Sequence, residues 1–420
     1  MRTFDPELWD ILEVSLKRQI NMLSLVPTTN AATPFVSFLK GSTLGNDFLD
    51  HHAAEHHSKL EKLACHRMEK LFSADHAIVR TGSLAAASRV VLLALLKTGD
   101  TVLSFNLRKQ EHCTGDVMQY KFVKFGVEPG TMRPDYGKIR TLAQTHKPRL
   151  IICSPMNYPW EIDYARLEKI AHEVNALLWI DLGQNCGLVA AKKIISPVPF
   201  GDVVTFATGD ALHGPQNGII LCKNTLADKL EQAVIDTGHV SLKKNVLAAL
   251  NIALSEANCE EYEDYAQQVL DNARALENGL KKAGCRTLCS PTQNHLVLLH
   301  LPEGLQSEDV KDKLAEAGLL VKPDILLTGD DDITFPILRL SSLDATTRSL
   351  TVEDMEAVGL ELGKFLQSPQ DGTTIAKLRK FIKKMVENLP LFSEDWLPEG
   401  EISDVYDREP DHSALVHWRI

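Results

Sequence analysis

Residues 77–105, AIVRTGSLAAASRVVLLALLKTGDTVLSF, decide the fold. The apolar triplet Ala77–Val79 reads as a short strand, and Thr81-Gly82-Ser83 as a turn. Leu84 to Leu96 is apolar nearly all round, which suits a buried helix. Lys97-Thr98-Gly99-Asp100 is a second turn, and Thr101–Phe105 a second strand. Strand, helix and strand joined by short turns make the unit of a parallel sheet with right-handed crossovers. The rhythm continues through strand RLIIC (149–153), helix YARLEKIAHEVN (164–175), and strands LLWID (177–181), VVTFA (203–207) and GIILC (218–222). The strands among them are apolar nearly throughout, as strands covered on both faces are. The expected class is α/β with a mostly parallel sheet.

Outward from that centre the chain changes character twice. FDPELWDILEVSLKRQINML (4–23) opens as a helix, with Asp5 at the N-cap and Pro6 at the first helical position. A loop over 26–45 leads to a polar, histidine-rich helix, LDHHAAEHHSKLEKLACHRMEKLF (49–72). Beyond a helix near 260–284, NHLVLLHL, SEDVKDKLAEAG, ILRLSS and TVEDMEAVGLELGKFL read as strand, helix, strand and helix of a smaller α+β domain. The expected divisions are an N-terminal helix and arm (1–45), a large domain (46–274), a small C-terminal domain (275–392) and an acidic tail (393–420) bearing Trp396 and Trp418.

Bulk properties narrow the function. The chain has 420 residues, 44% hydrophobic and 24% charged, with net charge −11. That charge argues against nucleic-acid phosphates as a partner. No apolar run approaches the ~20 residues of a membrane span, and MRTFDPELWD lacks the apolar core of a signal peptide. Eight cysteines without a CxxC pair point to reduced thiols and a cytoplasmic location.

Several residues are candidates for chemistry. His52, Glu55 and His56 fit an H-x-x-E-H order that can hold a metal, although a solvated polar helix turn reads the same way. Gly82 and Ser83 begin a helix whose free N–H groups can face an anion, or simply close a strand-helix turn. Asp181 ends a strand on the ligand side of the sheet and suits a protonated ring nitrogen, or caps the next helix. Arg339 in PILRLSS can clamp a carboxylate, or sit in an ordinary ion pair. Asp210, in TFATGDALHGPQNG (205–218), stands where an apolar strand gives out. A carboxylate there needs a partner or costs several kcal/mol.

Taken together the chain resembles serine hydroxymethyltransferase, a fold-type-I pyridoxal-phosphate enzyme family. The likeness is carried by DPELWDILEVSLKRQ, KTGDTVLSFNL, HKPRLIIC, IDLGQNCGLVAA, GPQNGIILC and QNHLVLLHL, in family order and at family spacing. It implies an aspartate-aminotransferase-like large domain and a smaller α+β domain. It implies that Asp181 holds the cofactor's pyridine nitrogen, that His112 stacks on its ring, and that Ser83 and Thr208 lie at the cofactor. It also implies that Arg339 binds the substrate carboxylate, that Glu55 moves a proton near the substrate hydroxyl, and that Asn30 and His295 are polar pattern positions.

The departures from the family are as informative. Its T-H-K-T segment is here Thr208-Gly-Asp-Ala211, so the resemblance puts Asp210 at the Schiff-base lysine's place. A carboxylate forms no imine with an aldehyde. The phosphate loop is reduced to Ser83-Leu-Ala-Ala86, a histidine becomes Gln184, and the segments before Glu55 and at DTGHVSL are altered. The expectation is a repurposed or inactive homologue that binds a small amino-acid-like carboxylate or a partner protein, as a homodimer or paired with an active homologue. The alternative is an aldol or one-carbon transferase that works without an internal aldimine, using Asp210, Glu55 and His112 as acid-base groups. Expected cofactors are none held covalently, with noncovalent pyridoxal phosphate left open and folate undecided.

Overall fold

The structure is a computed structural model that describes residues 3–46, 51–105, 120–128, 130–239, 241–327 and 334–398. In chain order, it runs α1 (Pro6–Asn21), β1 (Leu23–Ser24), α2 (Pro34–Lys40), α3 (His51–Phe72), β2 (His76–Ile78), α4 (Leu84–Leu95), β3 (Thr101–Phe105) and β4 (Lys121–Phe125). Then follow α5 (Tyr136–His146), β5 (Leu150–Cys153), α6 (Tyr164–Glu173), β6 (Leu177–Gly183), α7 (Cys186–Ala190), β7 (Val203–Ala207), β8 (Gly218–Cys222), α8 (Asn224–Asp236) and α9 (Lys244–Glu256). The remainder is α10 (Glu260–Lys282), β9 (Thr287–Leu288), β10 (Leu296–His300), α11 (Ser307–Glu316), β11 (Leu319–Leu320), β12 (Lys322–Leu327), β13 (Thr334–Ser341), α12 (Leu343–Thr347), α13 (Val352–Gln367) and α14 (Gly372–Val386).

Two compact units form. The larger holds residues 32–157 and 161–266, with Trp396; the smaller holds 1–31, 158–160 and 267–395. In the larger unit a seven-stranded sheet runs β2-β8-β7-β6-β5-β3-β4. Its β7–β6, β6–β5, β5–β3 and β3–β4 ladders are parallel. GIILC does not follow that rhythm: β8 is antiparallel to both β7 and β2. The ten residues between β7 and β8 contain no crossover helix, so the chain turns straight back, and a parallel neighbour would need that crossover. Since β8 alone is reversed, β2, β3, β4, β5, β6 and β7 all end at one edge, where β8 begins. On one face, Val90, Val91 and Leu95 of α4 and Leu230 and Val234 of α8 share a core with Val102, Ile152, Trp179, Val203 and Ile220 of the sheet.

The two lysines of KFVKF explain why no apolar run announces β4. It is the last strand of the sheet, with Lys121 exposed and its neighbours half-buried, so it lacks the composition of its fellows. Local signals read correctly elsewhere: Asp5 caps α1, its Oδ1 accepting from the Leu8 N–H at 3.0 Å.

The smaller unit is α+β. Its antiparallel sheet runs β12-β13-β10-β9, with a short parallel pair, β1 and β11, beside it. Leu276, Leu280, Val297, Leu299, Leu338, Leu340, Val358, Leu362 and Phe365 lie in its core. Buried Arg348 ties α1 to this unit: its guanidinium donates to the carbonyls of Ile20 (3.1 Å), Met22 (2.7 Å) and Pro390 (3.0 Å).

Candidate functional site

The strand-end edge of the larger unit is where an α/β sheet takes its ligand. Asp181 lies there on β6, 2% exposed, with Oδ1 accepting from the Gly183 N–H at 3.3 Å. The β6–β7 register shifts between Asp181 and Gly183. Residues 208–217 close over the end of β7 as a self-bonded turn. The Thr208 hydroxyl donates to Pro215 O at 2.6 Å, the Thr208 N–H to Asn217 O at 3.1 Å, and the Gly214 N–H back to Thr208 O at 2.9 Å. Thr208 is therefore committed inside its own turn.

Asp210 hangs from this turn, 9% exposed. Gln184 Nε2 donates to its Oδ2 at 3.4 Å, and the Gln216 side chain bonds it as well. Burial pushes its carboxyl up to about 6, with the two amides pulling the other way. Desolvation wins because both of these partners are neutral, and a neutral amide offsets only part of what a carboxylate loses on leaving water. An aromatic bed supports the turn: Tyr262 Oη donates to Ala211 O at 2.7 Å, and the His213 ring lies 4.8 Å from Tyr265.

The turn after β2 is fastened to this segment. Gly82, at φ +75, donates its N–H to Asn217 Oδ1 at 2.9 Å. Asn217 Nδ2 donates to Val79 O at 2.5 Å, and the Thr81 hydroxyl to Gly218 O at 2.8 Å. Gly218 has room only for hydrogen, since a Cβ there would stand 2.1 Å from Ser83 O. Ser83 Oγ accepts from the Ala86 N–H at 3.2 Å, capping α4. Leu84, Ala85 and Ala86 add no side-chain donor. Of the two buried acids at this edge, Asp210 exchanges a proton near pH 6.

Arg339 and Asn30 belong to the smaller unit. Arg339 is 4% exposed, and its Nε lies 3.0 Å from Asp324 Oδ2 in an ion pair. Asn30 Oδ1 accepts from the Thr347 hydroxyl at 2.7 Å. His112 lies outside the described residues. So do the side chains of His52, Glu55 and His56, whose backbone opens α3. Among the described residues, no group of three or more His, Cys, Asp or Glu side chains could hold a metal. The seven cysteines within them are free thiols, and no described helix is long and apolar enough to cross a membrane.

Gln216, Asn217 and Asp324 do not stand out in the sequence. Each acts through a partner brought in by tertiary pairing, and a lone amide or acid in a loop or edge strand carries no pattern of its own. The geometry of a mostly parallel sheet, with an acid two residues before the end of β6 and a closed turn after β7, agrees with an independent finding. A model of the serine hydroxymethyltransferase family matches residues 1–362, most of the chain. The chain therefore belongs to the serine hydroxymethyltransferase family.

Proposed function

We propose that this chain is a repurposed member of its family that forms no covalent bond with pyridoxal phosphate and serves as a binding protein, taking a small carboxylate ligand through Arg339. The observation that carries this reading is Asp210. The family resemblance puts it at the Schiff-base position, and the whole turn from Thr208 to Asn217 contains no lysine. An imine needs an unprotonated amine next to the aldehyde. This turn supplies instead a buried carboxyl that titrates near 6.

The residues present do not fit covalently held pyridoxal phosphate. Besides the missing amine, the cofactor's phosphate asks for side-chain donors, and in Ser83-Leu84-Ala85-Ala86 only the Ser83 hydroxyl can donate. Above pH 6 the Asp210 carboxylate would face a phosphate and a phenolate across a partly desolvated gap, a like-charge contact worth several kcal/mol. In support of association as a dimer, α1 leaves Ile11, Val14 and Ile20 exposed.

The test is the absorbance spectrum of the purified protein with added pyridoxal phosphate, followed by borohydride reduction and peptide mass spectrometry. The expected result is no aldimine band and no stoichiometrically labelled lysine. A band near the visible edge that vanishes on reduction, leaving one labelled lysine, overturns the reading. Native mass spectrometry tests the dimer, and a monomer at micromolar concentration refutes that part alone.

A further inference from the structure

We propose that α2 is a flap whose seating on α9 is set by the proton on Glu256: it sits tightly while that carboxyl is neutral and opens more readily once the carboxyl is ionised. The device lies wholly within the larger unit and does not depend on what the chain binds.

One hydroxyl joins the two helices. Thr33 is the N-cap of α2, and its Oγ1 accepts from the Val36 N–H at 3.2 Å. The same hydroxyl donates its proton to Oε1 of Glu256, the last residue of α9, at 3.2 Å. Glu256 is 8% exposed, and its Oε2 is buried with no hydrogen-bond partner among the described residues. At the other end of α2, Asn245 Nδ2 donates to Lys40 O at 2.7 Å. The helix is thus held by two latches, and only the one at Thr33 contains a titratable group.

Among the described residues no charge steadies the carboxylate. α2 carries only Lys40, at the end away from Thr33. On α3, Arg67 donates to Asn251 O at 2.7 Å, Glu61 and Glu69 answer Arg80 and the Ala77 N–H, and Lys59, Lys62, His66 and Lys70 are exposed. Lys243 and Lys244 open α9 at its opposite end. Past its last turn, Glu260 is exposed and Glu261 lies against the Cys259 thiol. Burial pushes the Glu256 carboxyl up to about 7, and only the Thr33 hydroxyl pulls the other way. A neutral carboxyl buried there forgoes one hydrogen bond, whereas a carboxylate forgoes the hydration of a charge.

Of the two helices, α2 is the one that gives. It has seven residues, too few to stay helical alone, and Val36 is its one buried residue. Its seat is a small apolar patch, Val36 with Ala249 and Ala253, edged by Ala32, Leu39 and Ile252. α9 also buries Leu247, Leu250 and Leu254 and is bonded to α3, where Asn251 Nδ2 donates to Leu60 O at 2.9 Å. Lifting α2 is therefore the least costly way to return water to Glu256.

The experiment is hydrogen–deuterium exchange of the full chain, read in peptides covering α2 from pH ~4.5 to ~8.5 with the intrinsic exchange rate divided out. The seated state holds the Glu256 proton more tightly than the open state, whose carboxyl titrates near its ordinary 4.5. Opening is therefore rarest at and below that pH, increases by up to about tenfold per pH unit from there, and levels off above about 7, a rise of ~300-fold at most. Glu256→Gln should hold the α2 amides at the acid level of wild type throughout. Asn245→Ala should raise opening at every pH and leave the slope as it is, and peptides of α9 should not follow α2. Wild-type protection that does not change with pH overturns the proposal, as does a slope that survives Glu256→Gln, or α9 opening in step with α2. Failure of Glu256→Gln to fold also overturns it, since a side chain that never ionises should seat α2 best.

Discussion

Replacing Asp210 with asparagine should make the protein more stable at neutral pH, and the gain should disappear in acid. The folded carboxyl titrates near 6 against an ordinary value of 3.8. At about 1.4 kcal/mol per pKa unit, a difference of about two corresponds to ~3 kcal/mol. The sign follows from which state holds the proton more tightly. Here the folded state does, so Asp210 does not weaken the fold below pH 3.8. Its destabilising effect grows as pH rises from 3.8 to about 6 and is constant above that. The asparagine side chain of the variant never ionises, and its amide oxygen can still accept from Gln184. Asp210→Asn should therefore match wild type near pH ~3.5 and exceed it by about 2–3 kcal/mol at pH ~8, or ~5–10 °C in the melting temperature of a unit this size. Glu256 and Asp344, pushed up to about 7 and about 6 by burial, titrate in the same window but are common to both proteins and cancel in the difference. The assay is urea denaturation of both proteins across that pH range. A gain that does not change with pH, or a variant less stable than wild type at the alkaline end, would refute the assignment of Asp210 as a buried acid held against its own desolvation.

Three further outcomes follow from the packing. Gly218→Ala places a Cβ 2.1 Å from the Ser83 backbone carbonyl, which cannot swing aside as a flexible side chain would, so unfolding free energy should fall by about 3 kcal/mol or more. A loss under about 1 kcal/mol would mean that the turns after β2 and before β8 are not fastened together. Arg348→Met removes three charge-assisted bonds to carbonyls at the end of α1 and near Pro390, and should cost about 3 kcal/mol. Limited proteolysis should then cut near residue 22 at lower protease concentration, and an unchanged cleavage pattern counts against the role. The His76 imidazole is held above its ordinary 6.5, chiefly by its hydrogen bond to Glu231. The stability it adds is present below 6.5 and lost as pH rises through the folded value, and Glu231→Gln should bring its NMR titration midpoint back down. A midpoint that stays raised would assign the shift to another acid.

Much of the architecture was legible because it follows from short-range pattern. The run from Ala77 to Phe105 contains its own strand, turn, helix and strand, and each apolar strand announces its burial by composition. The edge strand β4 and the reversal of β8 were not legible. The first is half solvated, and the second depends on what the 208–217 turn does rather than on the residues of the strand. At the site, Asp181 and Arg339 were identifiable from their places at the ends of apolar runs. Their surroundings were not: the ion pair of Arg339 with Asp324 depends on the pairing of β12 with β13.

By itself, the amino-acid order determined the α/β class, the cap of α1, the acid near the end of β6, and a turn after β7 that carries Asp210 and no amine. These depend on periodicity and residue chemistry, which act over a few neighbours. Only the tertiary structure decided that Asn217 would clamp Gly82 across 135 positions of chain, that two amides would bond Asp210 without neutralising it, and that Asp324 would lie 3.0 Å from Arg339. Those contacts join segments whose local preferences say nothing of one another, and burial sets the cost of each polar group only after packing has chosen its neighbours.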